Sequence, residues 1–506
     1  MATSAKTKVQ FEPVIGLEVH AELHTRSKMF CACPVVDTTQ AQPNTAVCPV
    51  CAGMPGTLPV LNQKAVEFAL RVALALECEI ASVSIFARKN YFYPDLPKGY
   101  QISQYEQPLA RSGRLTILTS QGEKVVRIRR VHLEEDTGKL THVEPVGATP
   151  GVAQGRDKPA PYSLVDLNRA GVPLLEIVTE PDFHNAEEVR AYAAALRSLL
   201  RCLGVNTGDM QKGVLRIEPN LSLRPVGSQA LGTKVEIKNL NSFRALERAV
   251  AYEIERQTKI LASGGTIRQE TLGWDDVKEV TYTQRVKEGE DDYRYFPEPD
   301  LPPLVVDEAW IAQARAALPE LPYVRFLRFQ RQYALGAYAA ALLTEEKAIA
   351  DYFEQAANQQ SQVLTPKLIA NWMTGELFAL MNQTGVEIET IRLSPAALAE
   401  LAAMTAGGEI NPSTAKTVLA EMFATGRGAA EIVAAQGLQQ VSDADAIAPL
   451  VRQTLAENPH EVANYLGGKA TVANWLFGQV MKKAGGRANP QVVRQELERQ
   501  LDEARK

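Results

Sequence analysis

The sequence has few cysteines, no excess of basic residues and no long hydrophobic run, and each absence excludes a class of protein. Six cysteines in 506 residues are too few for a disulfide scaffold of this size. The formal net charge is −5, which excludes a globally basic nucleic-acid-binding protein, so any RNA contact must come from a local patch. No stretch approaches the roughly 18 consecutive apolar residues of a membrane span, and the N-terminal residues lack the apolar segment of a secretory signal. We therefore expect a cytoplasmic protein.

The common nucleotide-binding motifs are also missing. The string Gly467–Thr471 fails as a phosphate loop because Ala470 follows Lys469, and we find no dinucleotide fingerprint and no kinase motif set. If the protein uses ATP, we expect carboxylates and Mg²⁺ on a sheet to bind the phosphates.

The composition is that of a folded protein, since 45% of the residues are hydrophobic and 22% are charged. Short β-like runs alternate irregularly with helical segments in the first 300 residues, which favours an α+β fold over a doubly wound sheet. Four prolines in Pro297–Pro303 indicate a domain edge, the chain becomes strongly helical from Glu308, and a second break falls at Gly407 and Gly408. We predict domains at 1–300, 301–406 and 407–506.

Three segments of the first part have clear periodicity. After Leu17 the residues alternate, so that apolar side chains share one face of a strand and Glu18, His20, Glu22 and His24 share the other. The runs Leu115–Leu118 and Val125–Leu133 also predict strands, although the second carries polar residues on both faces. Helical spacing predicts a helix over Ala186–Leu203.

Four of the cysteines form two knuckles, C-x-C at Cys31 and Cys33 and C-x2-C at Cys48 and Cys51. Such spacing offers four thiolates to a tetrahedral Zn²⁺, and a site closed by four sulfurs is structural. The alternative is four free cysteines near a surface loop. The remaining two, Cys78 and Cys202, are isolated and are interpreted as small buried hydrophobes.

The acidic residues of two segments are candidates for a metal site. Glu18 and His20 project from one strand face, and the string His132–Lys139 holds Glu134, Glu135 and Asp136. Together they would offer oxygen and imidazole ligands to Mg²⁺ and hence to nucleotide phosphates. The sequence does not show that the segments meet, and a solvated acidic face is the alternative.

Two kinds of basic segment are candidates for binding a nucleotide or RNA. Arg88–Asp95 and Asp292–Pro297 mix cations with aromatic rings, which suits base stacking and phosphate binding as well as the edge of a core. Residues Thr471–Lys506 hold seven Lys/Arg and four Asp/Glu, a net charge of 7 − 4 = +3. This local excess suits RNA contact, and a solvated amphipathic helix is the alternative.

Seven strings in order closely resemble the GatB family, which provides one of the subunits of the bacterial aspartyl/glutamyl-tRNA amidotransferases, and the match extends to Gly478–Lys482 in the tail. Each string alone is weak, and their order is specific. The strings are Ile15–His20, Arg88–Asp95, Tyr100–Tyr105, His132–Asp136, Val165–Leu174, Gly232–Arg244 and Asp292–Pro297.

The resemblance implies a catalytic cradle similar to the glutamine synthetase and guanido kinase folds, followed by helical and tail domains. It also implies an ATP-dependent ligase that binds misacylated Glu-tRNA(Gln) or Asp-tRNA(Asn), phosphorylates the side-chain carboxylate and amidates it. The implied partners are the amidase subunit, GatA, which supplies ammonia from glutamine, and the small subunit, GatC. The chain itself shows no glutaminase nucleophile.

Residue by residue, the resemblance assigns catalysis to Glu18, His20, Lys89 and Glu135, and Mg²⁺ to Glu18, His20, Glu135 and Glu218. The residues expected to bind substrate or ATP are Asn90, Tyr91, Asn168, Arg169, Asn220, Lys238 and Arg294. The residues expected to bind tRNA are Lys482, Lys483 and Arg487.

The chain departs from the family pattern at two places. Gln211 stands in Met210–Gly213 where the family usually has an acid, and Glu218 stands in Arg216–Asn220 where it usually has Asp. Two other functions stay open: a non-catalytic zinc and RNA-binding module, and a stand-alone glutamine-synthetase-like ligase. The first does not explain the acidic segments, and the second does not explain the basic tail.

Overall fold

The structure is a computed structural model that describes residues 9–143, 162–286, 293–359, 363–440, 444–485 and 488–505. The chain divides into two compact units, Met1–Tyr323 and Val324–Lys506. No helix among the described residues is both long and apolar enough to cross a membrane.

The first unit is built on a nine-stranded sheet in the order β14-β13-β12-β11-β1-β10-β7-β6-β2, in which all neighbours are antiparallel except β12 and β13. Three smaller sheets join β15-β4-β5, β16-β3 and β8-β9. The strands are β1 (Phe11–Glu22), β2 (Glu79–Ile80), β3 (Val83–Ser84), β4 (Ala87–Asn90), β5 (Tyr100–Ser103), β6 (Ala110–Thr119), β7 (Gly122–Glu135), β8 (Lys139–Val143), β9 (Tyr162–Asp166), β10 (Pro173–Thr179), β11 (Leu215–Pro225), β12 (Val235–Lys238), β13 (Glu270–Asp275), β14 (Val280–Val286), β15 (Phe296–Pro297) and β16 (Leu304–Val305).

Helices cover one face of this sheet. Three pack on the strands, α1 (Gln63–Ala75), α2 (Ala186–Cys202) and α3 (Phe243–Ala262), and α4 (Glu308–Ala316) packs on α1. Each begins at a side chain that accepts hydrogen bonds from the first-turn amides, namely Asn62, Asn185, Ser242 and Asp307. Their apolar sides bury the inner residues of β1, Ile15, Leu17, Val19 and Ala21, in one core. The opposite face of the central strands remains polar.

The second unit is helical. Its helices are α5 (Pro322–Tyr333, which begins at the edge of the first unit), α6 (Ala337–Thr344), α7 (Lys347–Ala357), α8 (Pro366–Trp372), α9 (Phe378–Thr384), α10 (Pro395–Ala406), α11 (Pro412–Thr425), α12 (Ala429–Gln436), α13 (Ala444–Glu457), α14 (Pro459–Leu466), α15 (Val472–Lys483) and α16 (Pro490–Glu503), with a π-helical turn, Met373–Leu377, joining α8 to α9. Helices α13, α15 and α16 share a core of their own.

The structure confirms a mixed α+β region with a large sheet, followed by helices. The alternation in β1 and the predicted helix over Ala186–Leu203 are also confirmed, the helix ending one residue earlier. The three-part domain division stays a prediction: α10 ends before Gly407, but α11 and α12 pack against it across that break. The likeness to glutamine synthetase and guanido kinases also stays a prediction.

Candidate functional site

The polar face of the sheet gathers charged residues from five adjacent strands. The antiparallel register places Glu18 of β1 beside Glu218 of β11, and His20 beside Glu176 of β10. Glu176 in turn pairs with His132 of β7. The alternation of each strand directs these side chains to the face that the helices do not cover.

The first cluster on this face consists of His20, Glu134 and Glu176, whose ligand atoms all lie within 4.8 Å of one another. His20 Nε2 lies 3.6 Å from Glu176 and 3.8 Å from Glu134. Burial works to lower the pKa of His20, but hydrogen bonding and charge from Glu176 outweigh it and raise that pKa to about 9. A second imidazole, that of His132, lies 3.2 Å from Glu176. The carboxylates of Glu134 and Glu176 therefore favour a positive charge between them.

The second cluster consists of the carboxylates of Glu18, Glu218 and Glu236, also within 4.8 Å. Burial and then the charges of Glu176 and Glu236 raise the pKa of Glu18. Lys238 neutralises part of the cluster, because its ammonium lies 2.8 Å from Glu218 and 3.3 Å from Glu236. An all-carboxylate set of this kind suits Mg²⁺ better than a set containing imidazole.

Unsatisfied polar atoms lie within and beside these clusters. Asn220 donates to Glu18 at 3.1 Å through its amide nitrogen, but its Oδ1 is buried without a hydrogen-bond partner among the described residues. The Nδ1 atoms of His20 and His132 are also buried without a hydrogen-bond partner among the described residues. Buried polar atoms normally find partners, so the site fits additional polar ligands or ions.

Lys89 and two tyrosines lie over the first cluster. The Lys89 ammonium is 4.9 Å from the ring centre of Tyr293 and 5.9 Å from that of Tyr91. It makes no hydrogen bond or ion pair to any described residue. Burial works to lower the pKa of Lys89, and the charges of Glu134 and Glu176 raise it above its usual value. A cation held by rings rather than by acids is placed to bind an incoming anion.

A buried ionic network closes the other end of the polar face. Asp136 accepts a hydrogen bond from Arg216 at 2.9 Å and lies 3.6 Å from Arg169. Arg169 also donates to the carbonyls of residues 137 and 138. Burial and then Asp136 raise the pKa of Glu22 to about 8. Arg169 thus positions the end of β7 within this network.

Glu135 does not lie on the polar face, so the structure separates it from the other residues of the expected Mg²⁺ ligand set. Its carboxylate is paired with Lys98 and accepts from the amide of Ile102 at 2.9 Å. It borders a cavity of about 210 Å³ that Cys31 and Cys51 also line. Neighbouring residues of an extended strand point to opposite faces, so Glu134 occupies the position expected for Glu135.

The other residues expected to bind substrate are divided between this face and structural positions. Asn220 and Lys238 lie at the second cluster, and Tyr91 lies beside Lys89. The Asn90 side chain donates to the carbonyl of Arg294 at 2.8 Å, and it thereby fixes the segment that carries Tyr293. Asn168 is fully buried, and its amide binds the backbone of residues 42 and 46, so the structure places it under the cysteine loop.

The four cysteines of the two knuckles come together. Their sulfurs all lie within 4.8 Å, and Cys51 Sγ is 3.9 Å from the sulfurs of both Cys33 and Cys48. A tetrahedral zinc site with metal–sulfur distances of about 2.3 Å has sulfur–sulfur edges of about 3.8 Å. The amide of Cys48 donates to Cys51 Sγ at 3.2 Å. The cluster therefore fits a tetrahedral thiophilic ion. Cys78 and Cys202 are buried, as expected.

In the tail, two of the three residues expected to bind tRNA are described. Lys483 pairs with Glu457 at 2.5 Å, while Lys482 makes no hydrogen bond or ion pair to a described residue. Trp475, on the same helix, is 45% exposed. Arg487 lies outside the described residues.

Sequence reasoning did not assign Glu176, Glu236 or Lys98 to the site. One signal was available: Glu176 is the only charged residue in the apolar strand Pro173–Thr179, and a charged residue in a buried strand is rare unless it is paired. Glu236 lies two residues before Lys238. In a strand, residues two apart share a face, so this spacing could have placed Glu236 beside Lys238.

Comparison with known proteins shows the family of the chain. A model described as the GatB/GatE catalytic domain matches residues 13–312, and a model described as the GatB domain matches residues 351–501. The aspartyl/glutamyl-tRNA(Asn/Gln) amidotransferase GatB subunit of Roseiflexus castenholzii is 50% identical over 490 residues, which cover 96% of this chain and 98% of the relative. The corresponding subunits of Thermomicrobium roseum and Myxococcus xanthus are 50% and 49% identical, covering 98% and 97% of this chain and 99% and 98% of the relatives. The chain therefore belongs to the GatB family of aspartyl/glutamyl-tRNA(Asn/Gln) amidotransferase subunits.

Proposed function

We propose that the protein is the ATP-dependent ligase subunit that converts misacylated Glu-tRNA(Gln) or Asp-tRNA(Asn) into the amidated form. It works with the amidase subunit, GatA, and with the small subunit, GatC, and the ammonia comes from glutamine at the amidase. The observation that carries the proposal is the polar sheet face, where two carboxylate clusters and Lys89 lie together within the region that matches the GatB/GatE catalytic domain.

The reaction requires two transfers. A carboxylate oxygen of the aminoacyl group attacks the terminal phosphorus of ATP, an oxygen–phosphorus bond forms, and ADP leaves. Ammonia then attacks the acyl carbon, the carbon–oxygen bond to phosphate breaks, and a proton is lost as the amide forms. Lys89 is placed to bind phosphate oxygens, because its ammonium has no ionic partner among the described residues.

Two cation sites are proposed for this face. Glu18, Glu218 and Glu236 would hold Mg²⁺, beside the Lys238 ammonium that pairs with Glu218 and Glu236. His20, Glu134 and Glu176 would hold a second divalent ion. Bound Mg²⁺ neutralises phosphate charge and orients the phosphates. Glu218, one methylene longer than the usual Asp, keeps the carboxylate that this role needs.

The decisive experiment measures ATP hydrolysis as a function of Glu-tRNA(Gln), with and without the amidase and small subunits. The proposed ligase hydrolyses ATP only when misacylated tRNA is present, and it forms Gln-tRNA when the partners and glutamine are added. A zinc and RNA-binding module would bind tRNA without hydrolysing ATP. A stand-alone ligase would turn over free glutamate without tRNA.

The cysteine cluster leads to a second proposal, one Zn²⁺ bound by Cys31, Cys33, Cys48 and Cys51. We expect elemental analysis of freshly purified protein to find one zinc per chain. Because the site is closed by four sulfurs, Cys48→Ser should loosen the loop more than it slows phosphoryl transfer. Limited proteolysis within residues 31–57, compared with the ATPase rate, measures that difference. Zinc-free protein with an intact loop would contradict the prediction.

The tail is proposed to bind the tRNA backbone. A chain that ends at residue 440 keeps α11 and α12 on α10 and removes the helices α13–α16. We expect the complex built with it to bind tRNA more weakly, with a flatter dependence on salt, because fewer counterions are released. Titrations at several salt concentrations measure both effects, and equal affinity across them would contradict the prediction.

Lys482 and Lys483 provide a matched pair within that tail. Lys482 is unpaired among the described residues, so Lys482→Ala should lower the slope of log K against log[salt] by about 1. Lys483 is already paired with Glu457, so Lys483→Ala should lower it less. Slopes equal to that of the unmodified protein in both variants would show that neither lysine is a phosphate contact.

A further inference from the structure

We propose that Lys28 is part of the zinc centre, as the buried cation that compensates the negative charge of the four thiolates and fixes the knuckles to the turn before β10. The inference rests on the zinc site proposed above. Lys28 is 1% exposed and is the only buried lysine among the described residues. It lies at the neck of the first knuckle, where Ser27 forms a β-bridge with Pro34.

The Lys28 ammonium has two partners in the described part of the chain. It donates to Cys51 Sγ at 3.5 Å and to the carbonyl of Leu167 at 3.1 Å. No carboxylate among the described residues lies within ion-pair distance of it. Gly171 in this turn has a left-handed conformation (φ +85°) that favours glycine, and it lies beside Cys51 and Lys28, since a Cβ there would be in ordinary contact with them at 3.5 and 3.6 Å.

The role of Lys28 follows from the net charge of the four-cysteine cluster with and without Zn²⁺. An ammonium buried against neutral thiols and one carbonyl would lack an anion, and burying an unpaired charge is strongly unfavourable. Four thiolates on Zn²⁺ carry a net charge of −2, and an ammonium 3.5 Å from one sulfur compensates half of it. The side chain is therefore better matched to the metal-bound cluster, with its four thiolates, than to a metal-free cluster in which most of the sulfurs are neutral thiols.

The same contact connects the metal centre with the turn at residues 165–171. Asn44 binds this turn through Asp166 and Val165, and Ala46 donates to Asn168 at 2.8 Å. Residue 171 in turn donates to the carbonyl of Asp136 at 2.9 Å, at the end of β7. Lys28 is thus a positioning residue: it acts on the polar face only through this turn.

The test uses the full chain with Lys28→Met, which keeps the length of the side chain and removes its charge. Lys28→Gln keeps hydrogen-bond donors without the charge and serves if the Met variant does not fold. Lys64→Met is the matched control, because Lys64 is exposed and pairs with Glu67. Zinc affinity is measured by competition with a chelating dye, and melting temperature is measured for the zinc-loaded and the stripped, reduced forms.

We expect the two neutral variants to bind zinc 10- to 100-fold more weakly than the unmodified protein, the range typical for groups that contact a metal ligand. They should melt at a lower temperature when loaded, and at the same or a higher temperature when stripped. In Co²⁺-loaded protein, loss of the N–H···S contact should move the sulfur-to-metal charge-transfer band to lower energy.

Zinc affinity within twofold of the unmodified protein would overturn the inference, and so would an equal loss of melting temperature in both forms, which is the signature of packing alone. Unmodified protein that binds no zinc would overturn both this inference and the zinc proposal. Zinc binding in the unmodified protein with unchanged affinity in the variants would overturn only the role of Lys28.

Discussion

Glu134→Gln should reduce formation of the phosphorylated aminoacyl-tRNA by roughly 100-fold or more, because it removes a carboxylate from the His20, Glu134 and Glu176 cluster. The amide keeps the size of the side chain but cannot neutralise a bound cation. The measurement is a single-turnover assay of phosphoryl transfer in the assembled complex. Glutamine hydrolysis, which the proposed function assigns to the partner amidase, should persist in large part.

Glu135→Gln is the matched control for that prediction, because the two residues are adjacent and point to opposite faces. It breaks the contact with Lys98 and should leave phosphoryl transfer within a few fold of normal. Equal loss of transfer in both variants would show that the Glu135 side of β7 contributes to activation. Normal transfer in Glu134→Gln would place the site elsewhere.

The sequence was sufficient to predict the polar face of β1, since a strand alternates with a fixed period of two and Val19, Ala21 and Leu23 define the buried side. It did not predict which side chains of β7 face the polar side of the sheet. Arg127 and Arg129 point to one face of the strand and Arg130 and His132 point to the other. The polar pattern therefore does not say whether Glu134 or Glu135 faces the site. Only the packing of the helices against the sheet decides.

Residues distant in sequence meet through register, which is not a local property. Glu18 faces Glu218 because β1 pairs with β11 over eleven positions, and nothing near Glu18 specifies that alignment. The cysteine knuckles are the opposite case. Their four cysteines come from one short segment, so the spacing in the sequence was sufficient to predict that they lie together. Lys28 was missed because its neighbours Ser27 and Met29 give no sign that its ammonium is buried.

Lys89→Met should slow phosphoryl transfer by roughly 100- to 1,000-fold, the cost of removing one group that stabilises charge in a transition state. The reason is the setting of the ammonium, which lies against Tyr91 and Tyr293 and has no anion of its own among the described residues. The loss should appear mainly in kcat, with a smaller rise in KM for ATP, if the contact strengthens as charge moves to the leaving group.

Lys89→Arg distinguishes charge from geometry at this position. The guanidinium keeps the charge and stacks on aromatic rings, but its planar fork differs from the point charge of an ammonium. Partial recovery of kcat in the Arg variant would identify charge as the main contribution. Phosphoryl transfer at the normal rate in Lys89→Met would instead mean that Lys89 only balances Glu134 and Glu176. In that case Glu134→Gln should lower the pKa of Lys89, since the charge that raises it would be gone. Lys89→Met and Glu134→Gln therefore test the same electrostatic interaction, the first by removing the cation and the second by removing one of the carboxylates.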